Sequence, residues 1–186
     1  MSVVTQRKGE IIRLLKMIDS YPFTDQFKHE MMTYGYVLVC GAIEFMTENI
    51  LEDWVNKTIK HHEKSDKYKG KIYIKNFLVI QSKTKKEQIT KFSSTSLDGI
   101  RALITEIAGV EAREKFTSLL RQARQSIVIQ SDIDERLKRI CRFRHELAHG
   151  QKMPQDTQPN IAELREDFLF VYEHIIKNII GCLPRV

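Results

Sequence analysis

The chain has 186 residues, of which 42% are hydrophobic and 29% charged, with a net charge of +6 and a pI near 9.2. That length fits one domain with a sizeable core, and the balance is that of a globular rather than a disordered chain. Three cysteines, an odd number without a Cys-x-x-Cys pair, read most simply as reduced thiols, and the basic charge favours an acidic partner such as nucleic acid.

Met1 to Ser20 is charged and amphipathic with no apolar signal core, so a cytoplasmic location is expected. Ile11, Ile12, Leu14, Leu15 and Ile18 recur at helical spacing and predict a helix from Gln6 to Asp19, closed by Ser20-Tyr21-Pro22. A longer helix is predicted from Thr24 or Asp25 to Lys60, with Val39, Ile43, Met46, Ile50 and Trp54 on one stripe. Its most apolar run, Met31 to Met46, contains Glu44 and is too short to span a bilayer, so no membrane association is expected.

Residues 61–95 form a lysine-rich insertion or connection. Lys64, Lys67, Lys69, Lys71, Lys83, Lys85 and Lys86 read either as a solvated surface or as a basic face that holds RNA phosphates. The apolar residues inside it, Ile72 to Ile74 and Phe77 to Ile80, fit a short strand or a helix, and their period does not choose between them. Helices are predicted over 96–108 and 110–123 with Gly109 between them. Ser131-Asp132-Ile133-Asp134 is a capping signature for a helix that Gly150 ends, and a last helix covers 161–180. The expected fold is a single all-α domain over residues 1–186.

The chemistry is concentrated in Arg144-His145-Glu146-Leu147-Ala148-His149-Gly150. The inward stripe of the preceding helix runs Ile133, Leu137, Ile140, then Arg144, then Leu147. Arg144 therefore falls where an apolar residue belongs. A guanidinium cannot lose its charge, so it needs a carboxylate or an anionic ligand there. Glu44, the lone charged residue between Met31 and Thr47, is the counterpart expected on the long helix. On an ideal helix Arg144 and His149 stand about 140° apart. Arg142, His145 and His149 lie closer to one face, which keeps Arg142 as the alternative arginine. His145-Glu146-x-x-His149 also matches the zinc-protease pattern of two ligands one turn apart with a glutamate between them. No downstream third-ligand motif accompanies it.

The seven-residue motif resembles that of HEPN-domain proteins, Arg-polar-x-x-x-His, and is closest to the toxin and phage-defence branches. The resemblance extends as architecture over roughly Thr24 to Ile180. It implies a HEPN-like helical bundle, metal-independent RNA cleavage without a cofactor, and a homodimer in which two motifs face one cleft. It further implies His149 as general acid/base, Arg144 as the phosphate-stabilising cation and His145 as an orienting group. The partners implied are RNA and an antitoxin or defence-system protein. An inactive HEPN-like binding or dimerisation module is the alternative.

Overall fold

The computed structural model of the chain describes residues 2–22, 25–64, 72–89, 96–126, 133–148 and 160–185. Its regular elements are all helices among the described residues: α1 (Val3–Ser20), α2 (Asp25–Lys64), α3 (Ile72–Gln88), α4 (Leu97–Ala108), α5 (Val110–Ser126), α6 (Ile133–Ala148) and α7 (Ile161–Val171). A π-helical turn (Tyr172–Ile176) then leads into α8 (Lys177–Cys182). The all-α expectation holds, and the undecided segment within the insertion is the helix α3.

Local chemistry explains the boundaries. Ser2 caps α1 by accepting from the Thr5 N–H, and Tyr21-Pro22 ends it. Ser96 accepts from the Gly99 N–H at the start of α4, and Asn160 accepts from Ala162 and Glu163 at the start of α7. Gly109, at φ 93°, turns the chain between α4 and α5 in a conformation that a side chain would strain. The Ser131–Asp132 capping signature and the Gly150 stop lie outside the described residues.

The 40-residue α2 is the axis of the bundle. Leu15 of α1 and Ile161 and Leu164 of α7 converge on Gly35. A Cβ there would stand 3.4 Å from Ile161 Cδ1 and Leu164 Cδ2 and 3.5 Å from Leu15 Cδ2, so this glycine lets three helices approach. Val39, Ile43, Met46, Leu51, Phe116, Ile140, Phe168 and Ile175 are fully buried. Each such side chain contributes about 1.5–3 kcal/mol relative to exposure.

Side-chain contacts fix the helix directions. Arg7 of α1 lies 5.7 Å from the Phe45 ring while Leu15 meets Gly35, so α1 runs antiparallel to α2. Lys8 reaches Glu173 at 3.2 Å and Arg165 reaches Asp19 at 3.9 Å, so α1 is also antiparallel to the last helix. That helix is therefore parallel to α2. Arg139 binds Glu163 and Asp167, while Arg136 stacks 4.4 Å from the Phe170 ring. α6 is thus antiparallel to α7 and, in consequence, to α2. Lys86 reaches Asn56 and Glu52, which lays α3 back along the second half of α2.

Candidate functional site

Position 144 belongs to α6, which is helical through Ala148. Ile133, Leu137 and Ile140 are buried at 1%, 0% and 0% exposure, as the stripe requires, and the helical phase carries that stripe on to Arg144. The side chains of Arg142, Arg144, His145 and Glu146 lie outside the described residues, as does the whole of His149. What the structure gives is the scaffold around them.

Its register comes from one contact. Cys40 Sγ and Cys141 Sγ are 3.3 Å apart across the α2–α6 interface. Because the helices are antiparallel, Arg144 falls level with Tyr36 and Val37 of α2, whereas Glu44 falls level with Leu137. Roughly 10 Å of helix axis separates Glu44 from position 144. The expected pairing of Glu44 with Arg144 involves a side chain that lies outside the described residues.

A buried polar cluster that the sequence reading did not find underlies this end of the bundle. Asp167 is 1% exposed, and its carboxylate accepts from Arg139 Nε and Nη2 at 2.7 Å each and from Arg136 Nη1 at 3.0 Å. Arg139 adds a 2.7 Å ion pair to Glu163. This fork geometry matches a carboxylate, and the hydrogen bonding of Arg139 to Asp167 is the leading reason that its guanidinium binds its proton still more tightly than usual. Tyr36, 3% exposed, sits against the same cluster. Burial, reinforced by the Glu163 and Asp167 charges, pushes its phenol up to about 12, so it stays neutral. Tyr36 is also hydrogen-bonded to the Asn160 backbone at the start of α7. The cluster clamps α6 to α2 and α7 one to two turns before Arg144. A signal existed in the sequence: Asp167 follows Leu164 by three residues and precedes Val171 by four, so it falls on the apolar face of α7.

The candidate RNA-binding lysines among the described residues are placed elsewhere. Lys64 and Lys83 are exposed, but Lys85 donates to the Ile107 carbonyl at 3.1 Å and Lys86 to Asn56 Oδ1 at 3.5 Å, so these two help to seat α3. Lys67, Lys69 and Lys71 lie outside the described residues. Lys86 is level with Glu52, about 24 Å along α2 from Tyr36. Between them stands an acidic ladder, Glu44, Glu48 and Glu52, at successive turns of α2. Burial first, and then the Glu44 and Glu52 charges, raise the Glu48 carboxyl above its usual range. A carboxyl that is raised on folding destabilises the fold as pH climbs through and beyond that range. Glu48→Gln is expected to raise the melting temperature at neutral pH, with the gain fading as pH falls toward the carboxylate range. Melting curves across pH measure this, and an unchanged difference at all pH values would contradict it.

An open groove lies at the far end of the bundle, between Val3, Asn49, Trp54, Lys57 and Leu183. Trp54 Nε1 donates to the Pro184 carbonyl at 2.9 Å and ties the chain end to α2 there. The groove does not contain the motif. No group of three or more His, Cys, Asp or Glu side chains is arranged to hold a metal among the described residues, and the side chains of His145 and His149 lie outside them. No described helix is long and apolar enough to cross a membrane.

No curated protein and no solved structure matches the chain. A family model, RiboL-PSP-HEPN, matches residues 3–183, which takes in every described helix and the whole Arg144–His149 segment. With a motif of HEPN type at the end of a clamped helix in an all-helical bundle, the chain belongs to the RiboL-PSP-HEPN family, a family of HEPN domains.

Proposed function

We propose that this protein is a metal-independent endoribonuclease of HEPN type. The observation that carries the reading is the placement of the Arg144-x4-His149 sequence at the end of a helix whose preceding turns are held by the Asp167 cluster. Rigid support of this kind suits a cation that must meet charge at a fixed point. His149 serves as general acid/base, Arg144 stabilises the charge that builds on the scissile phosphate, and His145 orients the site. The ribose 2′-hydroxyl is the nucleophile. Its proton leaves to a base while the 5′-oxygen takes a proton from an acid, so no metal or cofactor is required.

Purified protein incubated with RNA in excess EDTA is expected to cleave it and to leave 2′,3′-cyclic phosphate ends or their hydrolysed form. DNA, lacking the 2′-hydroxyl, is expected to stay intact. Activity that returns only on adding zinc would overturn this reading in favour of His145, Glu146 and His149 as a metal site. A folded protein that binds RNA without cutting it would instead mark an inactive HEPN module. A toxin or defence role in the cytoplasm, with an antitoxin or defence-system partner, is the biological setting proposed.

A homodimer completes the site, since one His149 supplies one strong acid/base where two proton transfers are needed. An apolar stripe on α2 supports it. Phe27, Tyr34, Leu38 and Phe45 are 46%, 63%, 38% and 39% exposed, follow helical spacing, and begin at the motif end of the bundle. Exposed apolar side chains in such a row mark an interaction surface. Tyr34→Glu combined with Leu38→Glu is expected to convert the dimer to monomer without unfolding it, as read by sedimentation. A wild type that is already monomeric at micromolar concentration would defeat the proposal.

A further inference from the structure

Cys40 is fully buried on α2, and Cys141 is half-buried on α6. They are 101 residues apart in the chain, yet Cys40 Sγ lies 3.3 Å from Cys141 Sγ. Both are thiols in this structure. A disulfide requires an approach closer by roughly 1.3 Å, within reach of small rotations about the two Cα–Cβ bonds together with a slight helix shift. We propose that this pair is an oxidative modification site, converted by peroxide into a disulfide that staples α2 to the helix bearing the Arg144–His149 motif.

The order of events follows from access. Solvent reaches Cys141, so its thiolate attacks one peroxide oxygen. An S–O bond forms, the O–O bond breaks, and the departing oxygen leaves as water after gaining a proton. The product is a sulfenic acid at Cys141. The Cys40 sulfur, in contact with it but shielded from peroxide, then attacks the Cys141 sulfur as its own proton is lost. The S–S bond forms, the S–O bond breaks, and the hydroxyl leaves as a second water. Two thiols lose two electrons, and one peroxide gains them.

Cys182 provides a contrast within the same chain. It is 1% exposed, its Sγ is hydrogen-bonded to the Ile179 carbonyl, and burial pushes its thiol up to about 11. A thiol held in this way resists oxidation. Cys141 stands less than one turn before Arg144, so the staple would pin the turn that leads into the motif. In a reducing compartment such a bond is a transient response to oxidant rather than a permanent brace. The proposal is independent of whether the motif cleaves RNA.

The test treats the intact wild-type protein with a modest excess of hydrogen peroxide. Accessible plus denaturant-exposed thiols are expected to fall from three to one. The chain mass should drop by two hydrogens, and peptide mapping should join the Cys40 and Cys141 peptides. The melting temperature should rise by roughly 5–10 °C and return on adding dithiothreitol. Cys182→Ser should leave the cross-link intact, whereas Cys141→Ser should abolish it. Sulfinic acid at Cys141 with Cys40 still a thiol, or a bridge that involves Cys182 or a second chain, would overturn the proposal. The peptide map of the wild type alone decides the matter if a cysteine variant fails to fold.

Discussion

Replacing His149 by alanine is expected to lower RNA cleavage by about 10²–10⁴-fold while leaving the helical fold unchanged. The size follows from the chemistry. Transfer from a 2′-hydroxyl of high pKa, and to a 5′-oxygen that departs as an alkoxide, both benefit from a group that exchanges protons near neutrality, and histidine is suited to that task. The neutrality of the fold follows from packing. Ile133, Leu137 and Ile140 carry core contacts of α6 and are untouched by the change. Arg144→Ala should reduce cleavage by a similar factor, since it removes the cation that meets the phosphate. Parallel assays of Arg142→Ala distinguish the two arginines. Circular dichroism establishes that each variant is folded, and initial rates on a defined RNA give the factor. A folded His149→Ala protein with full activity would remove the ribonuclease assignment, and an inactive Arg142→Ala beside an active Arg144→Ala would transfer the arginine's role.

Much of the fold is visible in the sequence because helices announce themselves by period and by their ends. The apolar stripes of α1, α2, α6 and α7 appear in the structure as buried faces, and Pro22 and Gly109 stop helices where their chemistry says they must. α3 was ambiguous for a physical reason. It is seated partly by Lys85 on the Ile107 carbonyl and by Lys86 on Asn56 and Glu52, so its contacts are not those of an apolar stripe alone. A pattern of hydrophobic residues does not encode such polar contacts.

The candidate site shows a sharper limit. The misplaced hydrophobic position at Arg144 is legible from spacing within one helix. Its partner is not, because the register between helices far apart in the chain is a tertiary property. α2 offers Glu44 and α7 offers Glu163, Glu166 and Asp167, and nothing in either segment says which arginine each meets. Packing decides it. α7 delivers Asp167 to Arg136 and Arg139. The motif could be read as chemistry, but its mechanical support had to be seen.

That support leads to the second large effect. Asp167→Asn is expected to destabilise the protein by about 2 kcal/mol, since breaking a buried charge pair costs about 3–5 kcal/mol and partial exposure of the arginines reduces this. The carboxylate is 1% exposed and accepts three short hydrogen bonds, so the amide that replaces it keeps the shape, loses the charge, and cannot accept at both of its termini. Arg136 and Arg139, at 17% and 42% side-chain exposure, regain some water, which is why the loss stays below that of a fully enclosed pair. For a chain of this length the melting temperature should fall by roughly 4–8 °C. Glu163→Gln should cost far less, because Glu163 is 46% exposed and touches Arg139 at the rim of the cluster. The local consequence follows from the same contacts. With α6 no longer held to α7, the amides between Cys141 and Ala148 should exchange faster with solvent, while those of α4 and α5 keep their protection. Cleavage should fall with little change in RNA affinity, because a loosened helix misplaces Arg144 without removing it. Calorimetry, hydrogen exchange and single-turnover rates read these effects separately. A variant that melts within about a degree of wild type would show that the Asp167 cluster does not hold the motif-bearing helix in place.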